Sequence, residues 1–164
     1  MTICFTEANA SGYFDDPEAT RSTFRNGWFY SGDIGTVTED GVLCVSGRTG
    51  EIINAGGVKV SPRAIEEVLR RHPDVIDAAA FPVRNAVGLV EPCAAVVARR
   101  RLAPDEMGRF CANALGTASP RTFLQVDNLP RNANGKVAMQ VLIDLAQQKI
   151  DEMRARAALK VRQG

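Results

Sequence analysis

The order of helix signals and short apolar runs after residue 51 limits the folds open to this chain. The stretch SPRAIEEVLRRHP is the clearest helix, because Ser61 can cap it, Pro62 suits its first position and Pro73 ends it. Its apolar residues recur at helical spacing and give one face to bury: Ile65, Val68 and Leu69. This helix therefore needs a partner surface from the runs around it.

Strand-length runs surround the helix. EIINAGGVKVS precedes it, and VIDAAAFPVR and PCAAVVARR follow. A second helix, APDEMGRFCANALG, ends near Gly116, the strand RTFLQVD comes next, and an amphipathic helix starts at Ala138. Its apolar positions are Met139, Leu142, Ile143, Ala146, Ile150 and Met153. The order β-β-α-β-β-α-β-loop-α predicts an α+β domain with a small three-stranded, mostly antiparallel sheet, flanking helices and a β-hairpin.

The first 49 residues are turn-rich and predict a separate β-rich piece. Asp16 and Pro17 can open a short helix in DPEATRSTF. Two β-rich runs flank Asp40-Gly41, which predicts a hairpin. A length of 164 residues fits one domain, or one domain plus such a fragment.

Composition excludes several classes of function. A net charge of +1 does not favour nucleic acid or an anionic membrane. No apolar run reaches the roughly 20 residues that span a bilayer, and MTICFTEANA predicts no signal peptide. Cys4, Cys44, Cys93 and Cys111 form no CxxC pair, and a single histidine makes a zinc site improbable. We expect reduced thiols, two of them in the core, and a cytoplasmic location.

The segment LPRNANGKV presents Lys136 after an Asn-Gly turn. One interpretation is a solvated surface lysine, since most lysines are exposed. A phosphate loop of the GxxxxGK[ST] type is excluded, because Pro130 and Val137 stand where that motif needs glycine and a hydroxyl. The other interpretation is a cation held on a shaped loop to stabilise charge on a phosphoryl group.

Three further positions allow a ligand or a turn. Asp33 in GWFYSGD can accept two hydrogen bonds from vicinal hydroxyls such as those of a ribose, or can be a turn residue. Arg48 lies beside the flexible Gly50. Gly56-Gly57 offers backbone that a thin ligand can approach, or forms a bulge or turn.

Together these stretches resemble the C-terminal part of the adenylate-forming, AMP-binding enzymes: acyl-CoA synthetases, luciferases and peptide-synthetase adenylation domains. The motifs are GYFDDPEAT, GWFYSGDIG, GRTGEIINAGGVKVSPRAIEEVL, HPDVIDAAAFPV and LPRNANGKV. They stand in family order from Ser11 to Leu145.

The resemblance implies a two-step reaction. A carboxylate attacks the α-phosphate of ATP, supplied with magnesium, and the acyl-adenylate then passes to the thiol of coenzyme A. Lys136 matches the adenylation lysine, and Asp33 and Arg48 match residues that contact the ribose. Gly57 and Lys59 match the thioester-forming face. Gly50 stands at the family hinge, where aspartate or lysine is usual.

The resemblance also implies two parts, 1–49 as the end of a large N-terminal domain and 50–164 as a C-terminal lid domain. The substrates would be a carboxylic acid, ATP and coenzyme A, with no tightly bound cofactor and the large domain as partner. Strands of residues 1–49 without their neighbours predict self-association or loose structure.

Other functions stay open from the residues alone. A free-standing, non-catalytic module could bind coenzyme A or a large-domain partner, although such a binder gains little from Lys136. A peptide-synthetase adenylation domain is a third reading. Nucleic-acid binding through the basic run Ala98–Leu102 has little support, since no aromatic platform accompanies it. That run could instead help to hold the phosphates of coenzyme A.

We predict that the 164-residue chain alone does not form acyl-adenylate, because its sequence contains no Ser/Thr/Gly-rich phosphate loop and no acyl pocket. ATP–pyrophosphate exchange by the purified chain measures this. Robust exchange would contradict the prediction.

Overall fold

The computed structural model describes residues 10–161, with side chains as far as residue 156. Cys4 and the MTICFTEAN start therefore lie outside the described residues. The chain divides after Glu51 into two compact units.

The N-terminal unit opens with helix α1 (Pro17–Thr23), which begins as the sequence predicted. The Asp16 carboxylate accepts a hydrogen bond from the Ala19 N–H at 2.8 Å, which satisfies one free donor of the first turn. Two antiparallel strand pairs follow: β1 (Phe24–Arg25) with β2 (Trp28–Phe29), and β3 (Asp33–Val37) with β4 (Leu43–Arg48). The turn at Asp40-Gly41 joins β3 to β4, which confirms the predicted hairpin.

The β3–β4 pair contains an irregularity in register between Ile34 and Gly35. A Cβ atom at Gly35 would lie 2.7 Å from the backbone oxygen of Cys44, so only glycine fits against the neighbouring strand. Asp33, the first residue of β3, lies shortly before this irregularity.

The C-terminal unit follows the predicted order of elements. These are β5 (Ile53–Ala55), β6 (Val58–Val60), α2 (Pro62–Arg70), β7 (Val75–Arg84), β8 (Val90–Ala98), α3 (Pro104–Leu115), β9 (Thr122–Gln125) and α4 (Met139–Val161). Strands β5 and β6 form a hairpin. Strands β7, β8 and β9 form one sheet in that order, antiparallel between β7 and β8 and parallel between β8 and β9. The predicted α+β class and the mostly antiparallel sheet are confirmed.

The three-stranded sheet is buried on both faces. Along β7, Ala78 and Ala80 belong to one apolar cluster, and Ala79 and Phe81 belong to another. The first cluster contains side chains of α2 and α3, and the second contains side chains of α4. Because successive side chains of a strand point to opposite faces, a strand covered on both sides must be apolar throughout. This explains the unbroken run AAAF in β7.

Helix α4 buries only part of its predicted stripe. Leu142, Ala146 and Ile150 are buried against the sheet, whereas Met139 and Met153 lie exposed at the two ends of the stripe. The stripe therefore packs through its central turns. No helix within residues 10–161 combines the length and the apolar character needed to cross a membrane.

Replacing Leu142 tests how much α4 packing stabilises the C-terminal unit. Leu142 is 0% exposed, whereas Leu145 on the same helix is 45% exposed. We expect Leu142→Ala to lower the free energy of unfolding by about 2–5 kcal/mol, through lost transfer energy and a residual cavity. The matched control Leu145→Ala should change it by about 0.5 kcal/mol or less. Urea unfolding followed by circular dichroism measures both, and equal losses would contradict this packing.

The described cysteines differ in exposure. Cys44 is exposed, and Cys93 and Cys111 are buried and free. Burial raises the pKa of the Cys93 thiol to about 12 and that of Cys111 to about 11. Since the thiolate is the reactive form, both buried thiols should be inert at neutral pH.

In a Cys4→Ser background, we expect one fast-reacting thiol per native chain at pH 8 when it is titrated with a thiol-specific disulfide reagent. Denatured chain should show three, since Cys44, Cys93 and Cys111 remain. Fast reaction of Cys93 or Cys111 in the native chain would show that its burial is transient.

Candidate functional site

The ends of β3 and β4 bring Asp33 and Arg48 directly opposite each other. The Arg48 Nε–H donates a hydrogen bond to Asp33 Oδ1 at 2.9 Å. The Arg48 side chain is 63% exposed and the Asp33 side chain 26%. A guanidinium and a carboxylate each have more donors or acceptors than this one bond uses. The pair is therefore ordered and exposed, with hydrogen-bonding capacity left over.

Short bonds close the hairpin end beside this pair. The Thr49 N–H and Oγ1 both donate to the Gly32 carbonyl, at 2.7 and 2.9 Å. The Asp33 N–H donates to Ser31 Oγ at 3.1 Å. These bonds fix the backbone from which both charged side chains extend.

Gly50 lies in a 3₁₀ turn, Thr49–Glu51, just before the division between the units. Its φ is outside the positive region, and a Cβ atom there would meet nothing within 4 Å. This conformation therefore accepts any L-residue at position 50. The hinge role of Gly50 stays a prediction.

The β5–β6 hairpin turns at Gly56-Gly57, with φ of +60° and +94°. Two successive positive φ values are typical of the two-residue hairpin turns that glycine favours. Asn54 Oδ1 accepts a hydrogen bond from the Gly57 N–H at 3.0 Å, and the space where a Cβ of Gly57 would lie is open. Lys59 pairs with Asn54 across the hairpin and is exposed. The glycines thus form a turn, and their surface is accessible.

The loop that carries Lys136 is a closed turn. Arg131 and Val137 pair as an antiparallel bridge, and the Asn132 N–H donates to the Lys136 carbonyl at 2.8 Å. Asn132 Oδ1 accepts from the N–H groups of Asn134 and Lys136, each at 3.0 Å. Within the described part of the chain the exposed Lys136 ammonium forms no ion pair. The turn presents a cation on an ordered backbone.

Sequence reasoning missed two residues beside Lys136. Arg131 Nη1 donates to the Gly135 carbonyl at 2.9 Å, and its Nη2 donates to Asp77 Oδ2 at 2.8 Å. The only sequence signal for Asp77 is a carboxylate placed inside the apolar run VIDAAAFPV. A lone charge within a buried strand requires a partner.

Most arginines of the basic run at the end of β8 form hydrogen bonds or ion pairs within the protein. Arg100 donates to Asp74 Oδ2 at 2.8 Å and to Glu106 Oε1 at 2.6 Å. The hydrogen bond from Arg100 lowers the pKa of the Glu106 carboxyl. Arg99 Nη1 donates to the Pro73 carbonyl at 2.8 Å. Two of the three arginines thus fasten neighbouring segments, which weakens their interpretation as phosphate ligands.

The described residues offer no other clear centre. No group of three or more His, Cys, Asp or Glu within residues 10–161 could hold a metal ion. An open groove of about 550 Å³ runs beside α3, and none of the predicted site residues lines it.

Comparison with known proteins follows the same segments. A model of the AMP-binding enzyme C-terminal domain matches residues 64–136. A 2-succinylbenzoate–CoA ligase of Geobacillus kaustophilus is 41% identical over 134 residues, which is 80% of this chain and 27% of the relative. A probable CoA ligase of Humulus lupulus is 38% identical over 146 residues, which is 87% of this chain and 28% of the relative.

Solved structures share the fold. The o-succinylbenzoate CoA synthetase of Bacillus subtilis, in complex with an acyl-adenylate intermediate, superposes with a TM-score of 0.72 at 31% identity, over 80% of this chain and 27% of that one. An amide bond synthetase of Marinactinospora thermotolerans gives a TM-score of 0.74 at 33% identity, over 82% of this chain and 28% of that one.

The chain spans little more than a quarter of the length of the relatives it matches. Lys136 is the last residue of the family match. Across residues 64–136 the chain belongs to the AMP-binding enzyme C-terminal domain family, as the resemblance in its sequence predicted.

Proposed function

We propose that this chain supplies the C-terminal domain of an AMP-forming carboxylate–CoA ligase, which makes an acyl-adenylate and then a thioester. The observation that carries the proposal is the Lys136 turn. It holds an ammonium that has no ion-pair partner among the described residues, on a backbone that the Asn132 side chain and the Arg131–Val137 bridge fix. A solvated lysine needs no such frame.

Lys136 would act in adenylation. When the substrate carboxylate attacks the α-phosphate of ATP, negative charge builds on the phosphoryl oxygens as pyrophosphate departs. An ammonium placed beside those oxygens stabilises the transition state without any proton transfer. Magnesium would enter with ATP as part of the substrate.

Asp33 and Arg48 would bind the ribose of the nucleotide. A carboxylate can accept hydrogen bonds from both vicinal hydroxyls of a ribose. The 2.9 Å bond from Arg48 orients the Asp33 carboxylate and leaves other guanidinium donors for the ribose oxygens. The fixed hairpin end gives this pair the rigidity that recognition of a diol requires.

The β5–β6 turn would serve the thioester step. The open surface at Gly57 offers a path on which the thin pantetheine arm of coenzyme A meets no side chain. Lys59 adds a positive charge on the same hairpin. Gly50 would be the hinge between the two steps, since glycine tolerates large changes of φ and ψ.

A second candidate function differs from the first in the acyl acceptor, which would be an amine instead of the thiol of coenzyme A. One solved structure with the same fold, at a TM-score of 0.74, is named an amide bond synthetase, and its name indicates an amine as the acyl acceptor. An amine acceptor would use the same adenylation lysine but would not need the Gly57 surface. The first step is therefore common to both candidates.

The same proposal covers domain organisation and location. Residues 1–49 would be the end of the large AMP-binding domain, and residues 50–164 the lid domain. The partner would be the large domain, with a carboxylic acid, ATP and coenzyme A as substrates and no tightly bound cofactor. Free thiols support a cytoplasmic location. Exposed apolar residues on the β3–β4 hairpin, such as Val37 and Val42, support self-association when that partner is missing.

A chimera allows the proposal to be tested. In it, this chain replaces the matched part of the Geobacillus kaustophilus 2-succinylbenzoate–CoA ligase. We expect Lys136→Ala to slow adenylation about 10²–10³-fold, as for removal of another transition-state donor. Thioester formation from supplied acyl-adenylate should be spared, because the phosphoryl step is then already complete.

Pyrophosphate exchange measures the first half-reaction and thioester release measures the second. Lys149→Ala, at an exposed lysine of α4, is the matched control and should leave both rates unchanged. Equal losses in the two half-reactions for Lys136→Ala would contradict the assigned role.

A further inference from the structure

The Lys136 turn has a fixed shape, but its internal bonds do not determine where it lies on the domain. The bonds of Asn132 all remain within the turn. Its two ends are held by apolar packing: Leu129 is buried in the cluster that α4 covers, and Val137 packs against the same cluster. The exposed tip between them needs a separate attachment if the cation is to stay in one place.

Arg131 provides that attachment. Its guanidinium donates to the Gly135 carbonyl inside the turn and to the Asp77 carboxylate on β7, at 2.9 and 2.8 Å. Asp77 lies 54 residues earlier in the chain. One planar side chain thus joins the peptide next to Lys136 to the central sheet. The guanidinium of arginine holds its N–H donors in a fixed planar arrangement, so it suits two simultaneous hydrogen bonds better than a lysine ammonium does.

Asp77 is itself held in place. The register of β7 shifts between Val75 and Asp77, after which the alternation of side chains is regular. Asp77 therefore shares a face with Ala79, on the side where the Lys136 turn packs. Its Oδ1 accepts from the Ala78 N–H at 2.9 Å, which leaves Oδ2 for Arg131.

A second arginine supports the carboxylate from α2. Arg70 Nε lies 3.7 Å from Asp77 Oδ1, and its Nη2 donates to the Ala78 carbonyl at 3.0 Å. Glu66 accepts from the Ala80 N–H at 3.1 Å and lies 3.4 Å from Arg70. The two carboxylates and two guanidiniums form a chain of contacts from α2 across the edge of the sheet to the Lys136 turn.

We propose that Arg131, through Asp77, is the positioning residue for Lys136. This inference rests on the proposed function of Lys136. It adds that the position of the ammonium is set by an ion pair to β7, in addition to the bonds inside the turn. Misplacement of a catalytic group by about 1 Å can cost roughly a hundredfold in rate, so an attachment at this point matters.

Amide hydrogen exchange on the chain itself, followed by NMR, tests the attachment. We expect Arg131→Ala and Asp77→Asn to speed exchange at the Asn132, Gly135 and Lys136 amides about tenfold or more, the scale of a lost charge-assisted hydrogen bond. Amides of β8 should keep their rates. Arg63→Ala is the matched control, because Arg63 is as exposed as Arg131, at 51% against 50%, and also forms an ion pair, with Glu67.

Unchanged exchange in the turn would overturn the proposal. An equal rise at every amide would also overturn it, because it would show a general loss of stability. A rise confined to the turn supports it. This measurement needs no substrate and no second domain, so its result is independent of the proposed function.

A double-mutant cycle in the ligase chimera tests the consequence for catalysis. We expect Arg131→Ala to lower kcat for adenylation about tenfold or more, with thioester formation spared. The Arg131→Ala/Lys136→Ala double variant should be no slower than Lys136→Ala alone, because the positioning residue acts through the lysine. Multiplying effects, or unchanged adenylation in Arg131→Ala, would overturn the proposal. An unchanged adenylation rate in Lys136→Ala would instead refute the proposed function.

Discussion

Burial of a three-stranded sheet on both faces is the constraint on which the C-terminal unit depends. Helices α2 and α3 cover one face and α4 covers the other, so the fully buried positions of β7 and β8 are apolar. A sheet of this size has little area, and it depends on packing against helices for its stability. The Lys136 turn takes its position from this arrangement, because Leu129 and Val137 at its ends pack in the cluster beneath α4. Packing of α4 therefore fixes the base of the candidate catalytic loop.

Features that form within a few residues could be predicted from the sequence, whereas contacts between distant segments could not. Helix starts at Asp16 and Ser61 were readable because capping is local chemistry, satisfied within a few residues. The Asn-Gly signal likewise predicted the turn before Lys136. The pairing of Arg131 with Asp77 was not readable, since it depends on a register shift in β7 and on contact across 54 residues. The Asp33–Arg48 bond also could not be predicted, because it depends on the register of β3 against β4, although the sequence indicated each residue separately.

Charged residues in this chain fall into two groups that sequence alone does not separate. Arg100 and Arg131 donate to carboxylates and carbonyls, and each fastens one segment to another. Lys136 extends from an ordered turn and Lys59 from the short strand β6, and neither has an ion-pair partner within residues 10–161. A guanidinium donor that holds two segments together can turn to a ligand only if its bond breaks, whereas an ammonium without an ion-pair partner is available at no such cost. The partner of each charge therefore decides its role better than its place in a basic run.

This division of labour bears on how one small domain could serve two reaction steps. The two candidate faces, the Lys136 turn and the Gly57 turn, belong to one unit, and each is built from closed hydrogen bonds. Rigid faces can exchange places only if the change of conformation occurs outside them. Gly50 lies just before the unit begins, in a conformation that does not itself require glycine. A glycine at a position where the observed backbone does not require one is useful if the chain also adopts another φ and ψ there.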